Sequence, residues 1–498
     1  MLKQTRRIVA AIFFVLVTLL FIDFTETTHL WFGWLAKIQL VPAILAVNLV
    51  IIIGLALLTL VAGRIYCSVI CPLGVMQDGI SFISGKRKGK KNRFRFSKAL
   101  SWLRYSVLSV FVVALIAGIP ALFGLLEPYS AYGRIASNLF APVYRWGNNL
   151  LAAMAERADS YAFYSTEVWV KNWIVLGVAV ATLTIVAILA WRNGRTYCNT
   201  VCPVGTFLGL LSRFSLFKPT FDTEKCTHCG VCERNCKSLC INAKTMTIDQ
   251  SRCVSCFNCI DKCKFGAITY KAGRLGKKEA TARAESKEEG LTRSAFLSIA
   301  GLFAFTHTIK AQQLQVDGGL ADIEDKKRPD RKTPVVPPGA ESLRNMNNHC
   351  TACQLCVSSC PNNILRPSEK LSTWMQPEMT YEQGYCRPEC TECAQVCPTG
   401  AIKPITTAKK SSIAIGQVIW ISDNCIVNTD EVQCTTCQQR CPTGAIQLVD
   451  RDPGKEKSLK IPVVDKELCI GCGACEHLCP ARPFSAIYIE GYIRHHSI

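Results

Sequence analysis

The cysteine spacing constrains this chain more than any other feature of its sequence. Residues 226–236 read CTHCGVCERNC and residues 253–263 read CVSCFNCIDKC. Three thiolates at this spacing wrap a short loop around three corners of a 4Fe-4S cubane, and in two-cluster ferredoxins the fourth cysteine of each run binds the partner cluster. By that rule one cluster takes Cys226, Cys229, Cys232 and Cys263, and the other takes Cys253, Cys256, Cys259 and Cys236.

Two details of these runs depart from the usual pattern. Cys236 and Cys263 are each followed by lysine, where proline is usual. Cys240 is a spare thiol four residues after Cys236. Two hypotheses stay open for Cys240: it replaces Cys236 as a ligand, or it is a buried or free cysteine without a ligand role.

A second cysteine-rich region contains four more groups, and each of them ends in Cys-Pro. The groups are Cys350, Cys353, Cys356 and Cys360; Cys386, Cys390, Cys393 and Cys397; Cys425, Cys434, Cys437 and Cys441; and Cys469, Cys472, Cys475 and Cys479. A zinc ribbon separates two cysteine pairs by about 15–20 residues and has no use for such triplets. Disulfide frameworks favour small secreted domains. The 24 cysteines of both regions therefore predict six 4Fe-4S clusters.

Four long apolar stretches precede these regions. A helix needs about 20 residues to cross a hydrocarbon core of about 30 Å, and the stretches lie at 8–22, 40–62, 102–126 and 172–191. Basic residues are concentrated in the N-terminal tail, in the 63–101 loop and after residue 191, which predicts that these parts face the cytoplasm. The basic run KRKGKKNRFRFSK at 86–98 lies between two apolar segments, so the net charge of +20 indicates membrane orientation, not nucleic-acid binding.

A repeated motif follows the second and fourth of these stretches. RIYCSVICPLG at 64–74 and RTYCNTVCPVG at 195–205 share six of eleven positions, which indicates an internal duplication. The two cysteines of each motif lie on one face if a helix continues through them, and Arg64 and Arg195 favour thiolates by their charge. Three interpretations stay open for Cys67, Cys71, Cys198 and Cys202: inert thiols, two redox-active dithiols, or one four-thiolate site for a metal or a further cluster.

The sequence thus predicts an α-helical transmembrane domain followed by α+β ferredoxin-like modules. The predicted divisions are a membrane domain at 1–215, a two-cluster module at 216–272, a linker at 273–345 with an apolar segment at 294–309, and a four-cluster module at 346–498. No glycine-rich fingerprint follows a predicted strand, so no flavin or NAD site is expected. The histidines beside cluster loops, His228, His349 and His477, are expected to tune or shield a cluster and not to ligate it.

Residues 1–270, with their apolar stretches, two CxxxCP motifs and two-cluster run, resemble the NapH-type membrane ferredoxin of periplasmic nitrate reductase systems. The resemblance implies a quinol dehydrogenase role, with quinone as substrate. Four outer-face residues are candidates for accepting quinol protons, although none is assigned: Asp23, Glu26, His29 and Glu127.

Residues 291–498 look like the four-cluster NapG or MauM type, which is exported folded. The usual twin-arginine leader is altered here to LTRSAFLSIAGLFAF, with Ser294 where the second arginine would be. We hypothesise that this segment is an uncleaved fifth crossing, which puts residues 346–498 in the periplasm and residues 216–272 in the cytoplasm of a bacterial inner membrane. An interfacial or buried helix is the alternative, because the apolar core is short.

Two functions are therefore expected from the sequence. The first is that of a membrane-bound polyferredoxin carrying electrons between the quinone pool and a partner reductase or cytochrome. The alternative is a metal-handling maturation factor, since related membrane ferredoxins with CxxxCP motifs include a cupric reductase. A redox sensor lacks support, because no DNA-binding or signalling domain is visible.

Overall fold

The computed structural model describes residues 1–25, 27–87, 94–160, 162–166, 168, 170–272, 324–454 and 458–498. Its N-terminal part is helical. The helices are α1 (Leu2–Ile22), α2 (Thr27–Phe32), α3 (Trp34–Lys37), α4 (Leu40–Leu45), α5 (Leu49–Ala62), α6 (Tyr66–Val69), α7 (Pro72–Arg87), α8 (Ser101–Ile116), α9 (Pro120–Leu126), α10 (Pro128–Ile135), α11 (Ala141–Glu156), α12 (Trp173–Asn193), α13 (Thr196–Thr200) and α14 (Pro203–Ser212). A π-helical turn, Ala136–Phe140, joins α10 to α11.

Within the described residues, α1 and α12 are the two helices that are long and apolar enough to cross a membrane. Two of the four predicted spans, those at 8–22 and 172–191, coincide with these helices, and the stretches at 40–62 and 102–126 do not form such helices. The stretch at 40–62 is divided because Val47 has a positive φ and the Asn48 side chain caps α5 by accepting a hydrogen bond from the Ile51 N–H. The stretch at 102–126 is divided because Gly118 has a φ of +64° and Pro120 starts a new helix.

The two long helices are apolar around most of their circumference. The buried residues of α12 share one face: Val175, Ala179, Val186 and Ala190. Ile174, Ile185 and Ile188 of the same helix are about half exposed. A helix that buries one stripe and exposes apolar side chains elsewhere is suited to a lipid environment.

Residues 216–272 form a small α+β module. Strand β1 (Phe217–Phe221) pairs antiparallel with β4 (Ile268–Ala272), and β2 (Ile241–Asn242) pairs with β3 (Thr247–Ile248). The short helices α15 (Val231–Arg234) and α16 (Asn258–Lys262) each carry the third cysteine of a run. This is the expected ferredoxin-like architecture.

The described residues of the C-terminal module form three two-stranded antiparallel sheets. These pair β5 (Leu365–Pro367) with β6 (Pro377–Met379), β7 (Ile413–Trp420) with β10 (Ile487–Ser497), and β8 (Ile446–Asp450) with β9 (Lys460–Val464). Its helices are α17 (Leu343–His349), α18 (Leu355–Ser358), α19 (Glu392–Val396), α20 (Thr407–Ser411), α21 (Ile426–Thr429), α22 (Thr436–Gln439) and α23 (Ala474–Leu478).

The C-terminal module begins earlier in the chain than the predicted linker boundary. Lys326 donates hydrogen bonds to the carbonyl oxygens of Glu476, His477 and Cys479 at 2.7 to 3.0 Å. Arg331 forms an ion pair with Glu476, and both side chains are almost completely buried. The predicted linker at 273–345 therefore contributes its last residues to this module. The apolar segment at 294–309 lies outside the described residues.

The two modules lie at opposite ends of the long helices. At the start of α1, Lys3 forms an ion pair with Asp261 of the two-cluster module at 2.5 Å. Just beyond the other end of α1, His29 is 3.1 Å from the Ser359 hydroxyl of the C-terminal module. Helix α12 repeats this arrangement in the reverse direction. Asn172 at its start donates to the Pro367 carbonyl oxygen, and the N–H of Arg195, two residues past its end, donates to the Lys237 carbonyl oxygen.

Candidate cofactor sites

Four of the six cluster loops share one backbone conformation. In these runs, the residue before the second cysteine and the residue after it both have positive φ values. The pairs are His228 and Gly230, Ser255 and Phe257, Ala352 and Gln354, and Gly471 and Gly473. Left-handed residues of this kind turn successive backbone N–H groups inward and form a concavity that binds anions. The loops are therefore shaped to surround a group ligated by thiolates.

The two-cluster module brings Cys236 to the second run, as its spacing predicts. Burial raises the pKa of Cys259, and the neighbouring thiols of Cys256, Cys253 and Cys236 raise it further. In the first run, burial raises the pKa of Cys232 to about 11, and Cys229 and Cys226 contribute to the shift. The spacing rule thus predicts which thiols meet around the second site.

Cys240 lies beside this second ring. It is buried, and its Sγ atom is 3.5 Å from the Sγ atom of Cys236. Its side chain also hydrogen bonds with Cys253. Cys240 therefore contacts two of the four proposed ligands, which is close enough for either of its two predicted roles.

The C-terminal module exchanges its fourth cysteines in pairs. Cys397 lies within electrostatic reach of Cys350, Cys353 and Cys356. Cys360, in return, lies near the thiols of the second group, Cys386, Cys390 and Cys393. The third and fourth groups repeat the exchange. Cys479 reaches Cys437 of the third group, and Cys441 reaches Cys469, Cys472 and Cys475 of the fourth.

The cysteines of the two repeated motifs come together in the core of the helical domain. Cys67, Cys71, Cys198 and Cys202 are each 4 to 5% exposed. Burial raises the pKa of Cys71, and the thiols of Cys198 and Cys67 raise it further. Burial also raises the pKa of Cys202, with contributions from Cys198, Cys71 and Cys67. We call this group the four-cysteine site.

The helix does not continue through either cysteine pair, contrary to one sequence-based hypothesis. Helix α5 ends at Ala62 and Gly63 adopts a φ of +71°, so Cys67 and Cys71 follow the apolar helix. Pro72 and Pro203 start α7 and α14, which leaves Cys71 and Cys202 at helix N-termini. The Cys202 Sγ atom accepts the Gly205 N–H at 3.3 Å, and Cys71 accepts the Gly74 N–H.

The arginines of the repeat cross between the motifs. Arg64 donates to the carbonyl oxygen of Cys198 at 3.2 Å, and Arg195 donates to the carbonyl oxygen of Cys67. The motif glycines allow this approach. A Cβ atom on Gly74 would lie 2.3 Å from the Cys67 carbonyl oxygen, and one on Gly205 would lie 2.3 Å from that of Cys198. The shared arginine, cysteine, proline and glycine positions of the repeat thus each have a structural role.

Asp78 organises the positive charges beside the four-cysteine site. It forms ion pairs with Arg195 at 2.9 Å, Arg6 at 3.1 Å and Lys237 at 3.3 Å. Burial alone would raise the pKa of Asp78, but the opposing charges of Arg195 and Lys237 hold it well below its usual range. Asp78 was not singled out from the sequence, although it is the single acidic residue between Glu26 and Glu127.

Comparisons with known proteins agree with these sites. A family described as "4Fe-4S binding domain" matches residues 44–91 and 174–221, which contain the two CxxxCP motifs. A family described as "4Fe-4S dicluster domain" matches residues 349–401 and 432–482. The methylamine utilization ferredoxin-type protein MauM of Methylophilus methylotrophus is 34% identical over 161 residues, which are 30% of this chain and 69% of that protein. The chain belongs to the ferredoxin-type 4Fe-4S proteins.

Two further relatives extend the comparison of this ferredoxin-type protein. The ferredoxin-type protein NapF of Escherichia coli strain K12 is 30% identical over 158 residues, which are 32% of this chain and 87% of NapF. The methylamine utilization ferredoxin-type protein MauN of Paracoccus denitrificans is 27% identical over 188 residues, which are 37% of this chain and 52% of MauN. No solved structure matches the chain. The protein is thus an electron-transfer protein with 4Fe-4S clusters.

The candidate proton acceptors of this ferredoxin-type protein lie near the C-terminal module. Partial burial raises the pKa of Asp23, but hydrogen bonds from Thr25 and Thr28 outweigh it and lower the pKa to about 2. Glu127 caps α10 by accepting the N–H groups of Tyr129 and Ser130. These two carboxylates thus have structural partners. His29 hydrogen bonds with the Leu20 carbonyl oxygen at 2.7 Å, and Glu26 lies outside the described residues.

The histidines beside the cluster loops contact main-chain carbonyl oxygens through Nδ1. His228 contacts Ala243 at 3.2 Å, and His477 contacts Tyr381 at 3.0 Å. His349 contacts Asn345 at 2.9 Å, one turn earlier in α17. Each contact fixes the ring orientation beside a cluster loop.

Proposed function

We propose that the protein is a membrane-bound polyferredoxin that carries electrons between the quinone pool and a partner reductase or cytochrome, through six 4Fe-4S clusters. The observation that carries this proposal is the position of the two ferredoxin modules at opposite ends of α1 and α12. Each of these helices has 21 residues and so is about 32 Å long, close to the hydrocarbon thickness of a bilayer. Electrons entering one module have a protein path toward the other.

The exchange of ligands supports conduction within the C-terminal module. Two clusters that take their fourth thiolates from each other's segments lie side by side. The two pairs are also in contact, because the Cys386 N–H donates to the Cys472 carbonyl oxygen at 2.9 Å. Four clusters would therefore form one continuous series in this module.

The proposed location is a bacterial inner membrane, with residues 216–272 in the cytoplasm and residues 346–498 in the periplasm. The basic residues near the two-cluster end of the helices support this orientation. Ala272 and Glu324, the described residues on either side of the longest gap, belong to modules at opposite ends of the helices. This arrangement supports a further crossing between them, as the segment at 294–309 suggests.

The quinone part of the proposal rests on the resemblance to the NapH type. The names of MauM and MauN connect those relatives with methylamine utilization. A periplasmic oxidoreductase or cytochrome is accordingly the proposed partner class. The copper-handling alternative has less support, because the family that matches the segments with the CxxxCP motifs is described as a 4Fe-4S binding domain.

Quinol oxidation tests the redox function. The full-length protein is purified anaerobically, inserted in lipid nanodiscs and mixed with a menaquinol analogue. We expect the visible absorbance of the oxidised clusters to decrease as the quinol reduces them. This absorbance should return when an oxidised periplasmic cytochrome is added. An absorbance that reports full cluster occupancy but does not respond to either reagent would contradict the proposal.

Protease accessibility tests the orientation. In intact spheroplasts, an external protease should degrade residues 346–498 and leave the two-cluster module protected. The control is the same treatment after membrane lysis, which should expose both modules. Protection of the C-terminal module in intact spheroplasts would contradict the proposed location.

A further inference from the structure

The four-cysteine site has no part in the six clusters described above. We propose that Cys67, Cys71, Cys198 and Cys202 together hold one additional 4Fe-4S cluster, shared between the two halves of the repeat, which electrically joins the two ferredoxin modules. This inference extends the proposed electron-transfer function. The family that matches residues 44–91 and 174–221 is described as binding 4Fe-4S, but each matched segment contains only two cysteines. The two segments can therefore complete one four-thiolate site and not two.

The buried charges around the site call for an anion. Arg64 and Arg195 are both completely buried. The described contacts of Arg64 are carbonyl, amide and sulfur atoms, with no carboxylate among them. Arg64 Nε and Arg195 Nη2 are buried without a hydrogen-bond partner. A buried guanidinium needs a compensating negative charge, and four thiolates around an iron-sulfur core supply one.

Asp78 does not supply enough negative charge for this purpose. It is a single carboxylate, and it already pairs with Arg6, Arg195 and Lys237. Those three cations and Arg64 leave the region with a positive excess. The N-termini of α7 and α14 add further positive potential at Cys71 and Cys202.

Each of the four sulfur atoms has one N–H donor. Arg64 Nη2 lies 3.8 Å from the Cys67 Sγ atom, and Gln77 Nε2 lies 3.2 Å from the Cys198 Sγ atom. The N–H groups of Gly74 and Gly205 donate to Cys71 and Cys202, as described above. Hydrogen bonds of this kind stabilise cluster-bound thiolates and adjust the reduction potential. Inert thiols have no need for four such donors.

The composition of the ligand set suits a cubane. The thiols of Cys198, Cys71 and Cys67 all act on Cys202, so the four cysteines lie near one another. The family that matches both segments is described as a 4Fe-4S binding domain, and a 4Fe-4S cluster takes four cysteine thiolates.

The site contacts the two-cluster module directly. Lys237, which follows the ligand Cys236, pairs with Asp78 and accepts the Arg195 N–H through its carbonyl oxygen. Arg64 donates to the Ser251 carbonyl oxygen at 3.0 Å, two residues before the ligand Cys253. The second ring of this module is thus adjacent to the four-cysteine site.

Two buried tyrosines lie between the site and the C-terminal module. Tyr66 is within electrostatic reach of Cys71, and Tyr129 is within reach of both Tyr66 and Cys353. The four-cysteine site is therefore an intermediate position between clusters at the two ends of the helices. A cluster held there by Cys67, Cys71, Cys198 and Cys202 would supply one-electron exchange with its neighbours, with no change of proton or bond.

Iron counting on the full-length protein tests the proposal. Six clusters contain about 24 irons and seven contain about 28, with acid-labile sulfide in equal number. The double variant Cys67→Ser, Cys198→Ser should lose about four irons and four sulfides, whereas the control Arg213→Met, whose exposed side chain is hydrogen bonded to Tyr105, should keep its full content. The proposal would be overturned if the unaltered protein contained only the iron of six clusters. It would also be overturned if the double variant lost zinc or copper and not iron.

A second measurement tests the proposal even if the double variant fails to fold. Cryo-electron microscopy of the unaltered chain should show cubane density bounded by the four cysteines; four separate thiols or disulfides there would overturn the inference. The outcome is independent of quinol oxidation. Quinol-dependent bleaching in a protein with only six clusters would retain the proposed function and reject the additional cluster.

Discussion

Arg64 donates a hydrogen bond to the carbonyl oxygen of Cys198 at 3.2 Å, although 134 residues separate them along the chain. Arg195 makes the corresponding contact with the carbonyl oxygen of Cys67. Each half of the repeat thus positions the first cysteine of the other half. An isolated half would lack both the crossing arginine and two of the four thiols.

The first prediction concerns the charge of Arg64. The Arg64→Met variant removes a buried positive charge and the donor beside the Cys67 Sγ atom. If the variant destabilises the reduced cluster by about 1 kcal/mol relative to the oxidised cluster, its one-electron midpoint potential falls by about 40 mV. We expect the midpoint potential of the four-cysteine site to become more negative by at least that amount in a titration monitored by electron paramagnetic resonance.

The matched control for this variant is Arg213→Met. Arg213 is exposed and donates to the Tyr105 hydroxyl at 2.9 Å, away from the cysteines. It should leave every midpoint potential unchanged. An equal shift in both variants, or no shift in Arg64→Met, would show that Arg64 does not act on the site.

The second prediction concerns Asp78. In Asp78→Asn, Arg6, Arg195 and Lys237 lose their shared carboxylate, so we expect a loss of about 3–5 kcal/mol in the free energy of unfolding. In Lys237→Met, Asp78 keeps two cations, and the loss should be about 1 kcal/mol. Denaturant unfolding in detergent, followed by cluster absorbance, measures both. Equal losses would mean that Asp78 does not organise these charges.

The same carboxylate gives a pH dependence with a definite sign. Burial opposes ionisation of Asp78, but Arg195 and Lys237 outweigh it and hold its pKa below the ordinary value of 3.8. Its stabilisation is therefore complete above about pH 4 and is lost as the pH falls through the lowered pKa. The stability difference between the unaltered protein and Asp78→Asn should stay constant from about pH 5 to 8 and decrease only below about pH 4. A difference that changes near neutral pH would point to another group.

The cofactor class was predictable from the sequence because the spacing of the cysteines is local. A C-x2-C-x2-C run places three thiolates within one loop whatever the rest of the chain does. The exchange that brings Cys236 to the second ring follows from the same rule. The 29 cysteines therefore determined the cofactor class before any fold was known.

The interruptions of the apolar stretches were less predictable. A 23-residue run at 40–62 satisfies the length for a span, yet its backbone breaks at Val47 and Asn48 because a side-chain cap starts a new helix there. The network around Asp78 was also missed. Its partners Arg6, Arg195 and Lys237 are distant in sequence, and only the folded chain brings their charges together.

The third prediction tests the ligand exchange in the C-terminal module. Cys350 and Cys397 belong to one ring and Cys360 to the next. The double variant Cys350→Ser, Cys397→Ser should therefore lose about four irons, whereas Cys350→Ser, Cys360→Ser should lose about eight. Iron and sulfide analysis distinguishes the two results. If the first double variant lost about eight irons and the second about four, each cluster would instead be bound by the four cysteines of one sequence group.

The fourth prediction separates the two roles of Cys240. Its Sγ atom lies 3.5 Å from that of Cys236, within the same ring region. If Cys236 is the ligand, Cys240→Ala keeps all clusters. The Cys236→Ala variant then keeps its iron only if Cys240 moves into the vacant ligand position. Whichever of the two cysteines is the ligand, the double variant Cys236→Ala, Cys240→Ala should lose about four irons. We expect Cys240→Ala to retain its iron; a loss there with Cys236→Ala intact would make Cys240 the ligand.

The fifth prediction concerns the contact between the helical domain and the C-terminal module. A Cβ atom on Gly133 would lie 2.4 Å from the Cys353 carbonyl oxygen and 2.9 Å from the Phe21 ring, so Gly133→Ala should lower stability by about 1–3 kcal/mol. Gly147→Ala is the control, since a Cβ atom there meets nothing within 4 Å and alanine stabilises a helix by up to about 1 kcal/mol. Thermal loss of cluster absorbance in nanodiscs should begin earlier in Gly133→Ala alone. If the two variants lost their cluster absorbance at the same temperature, the C-terminal module would not dock through Gly133. Its cluster at Cys353 would then lie apart from the helices.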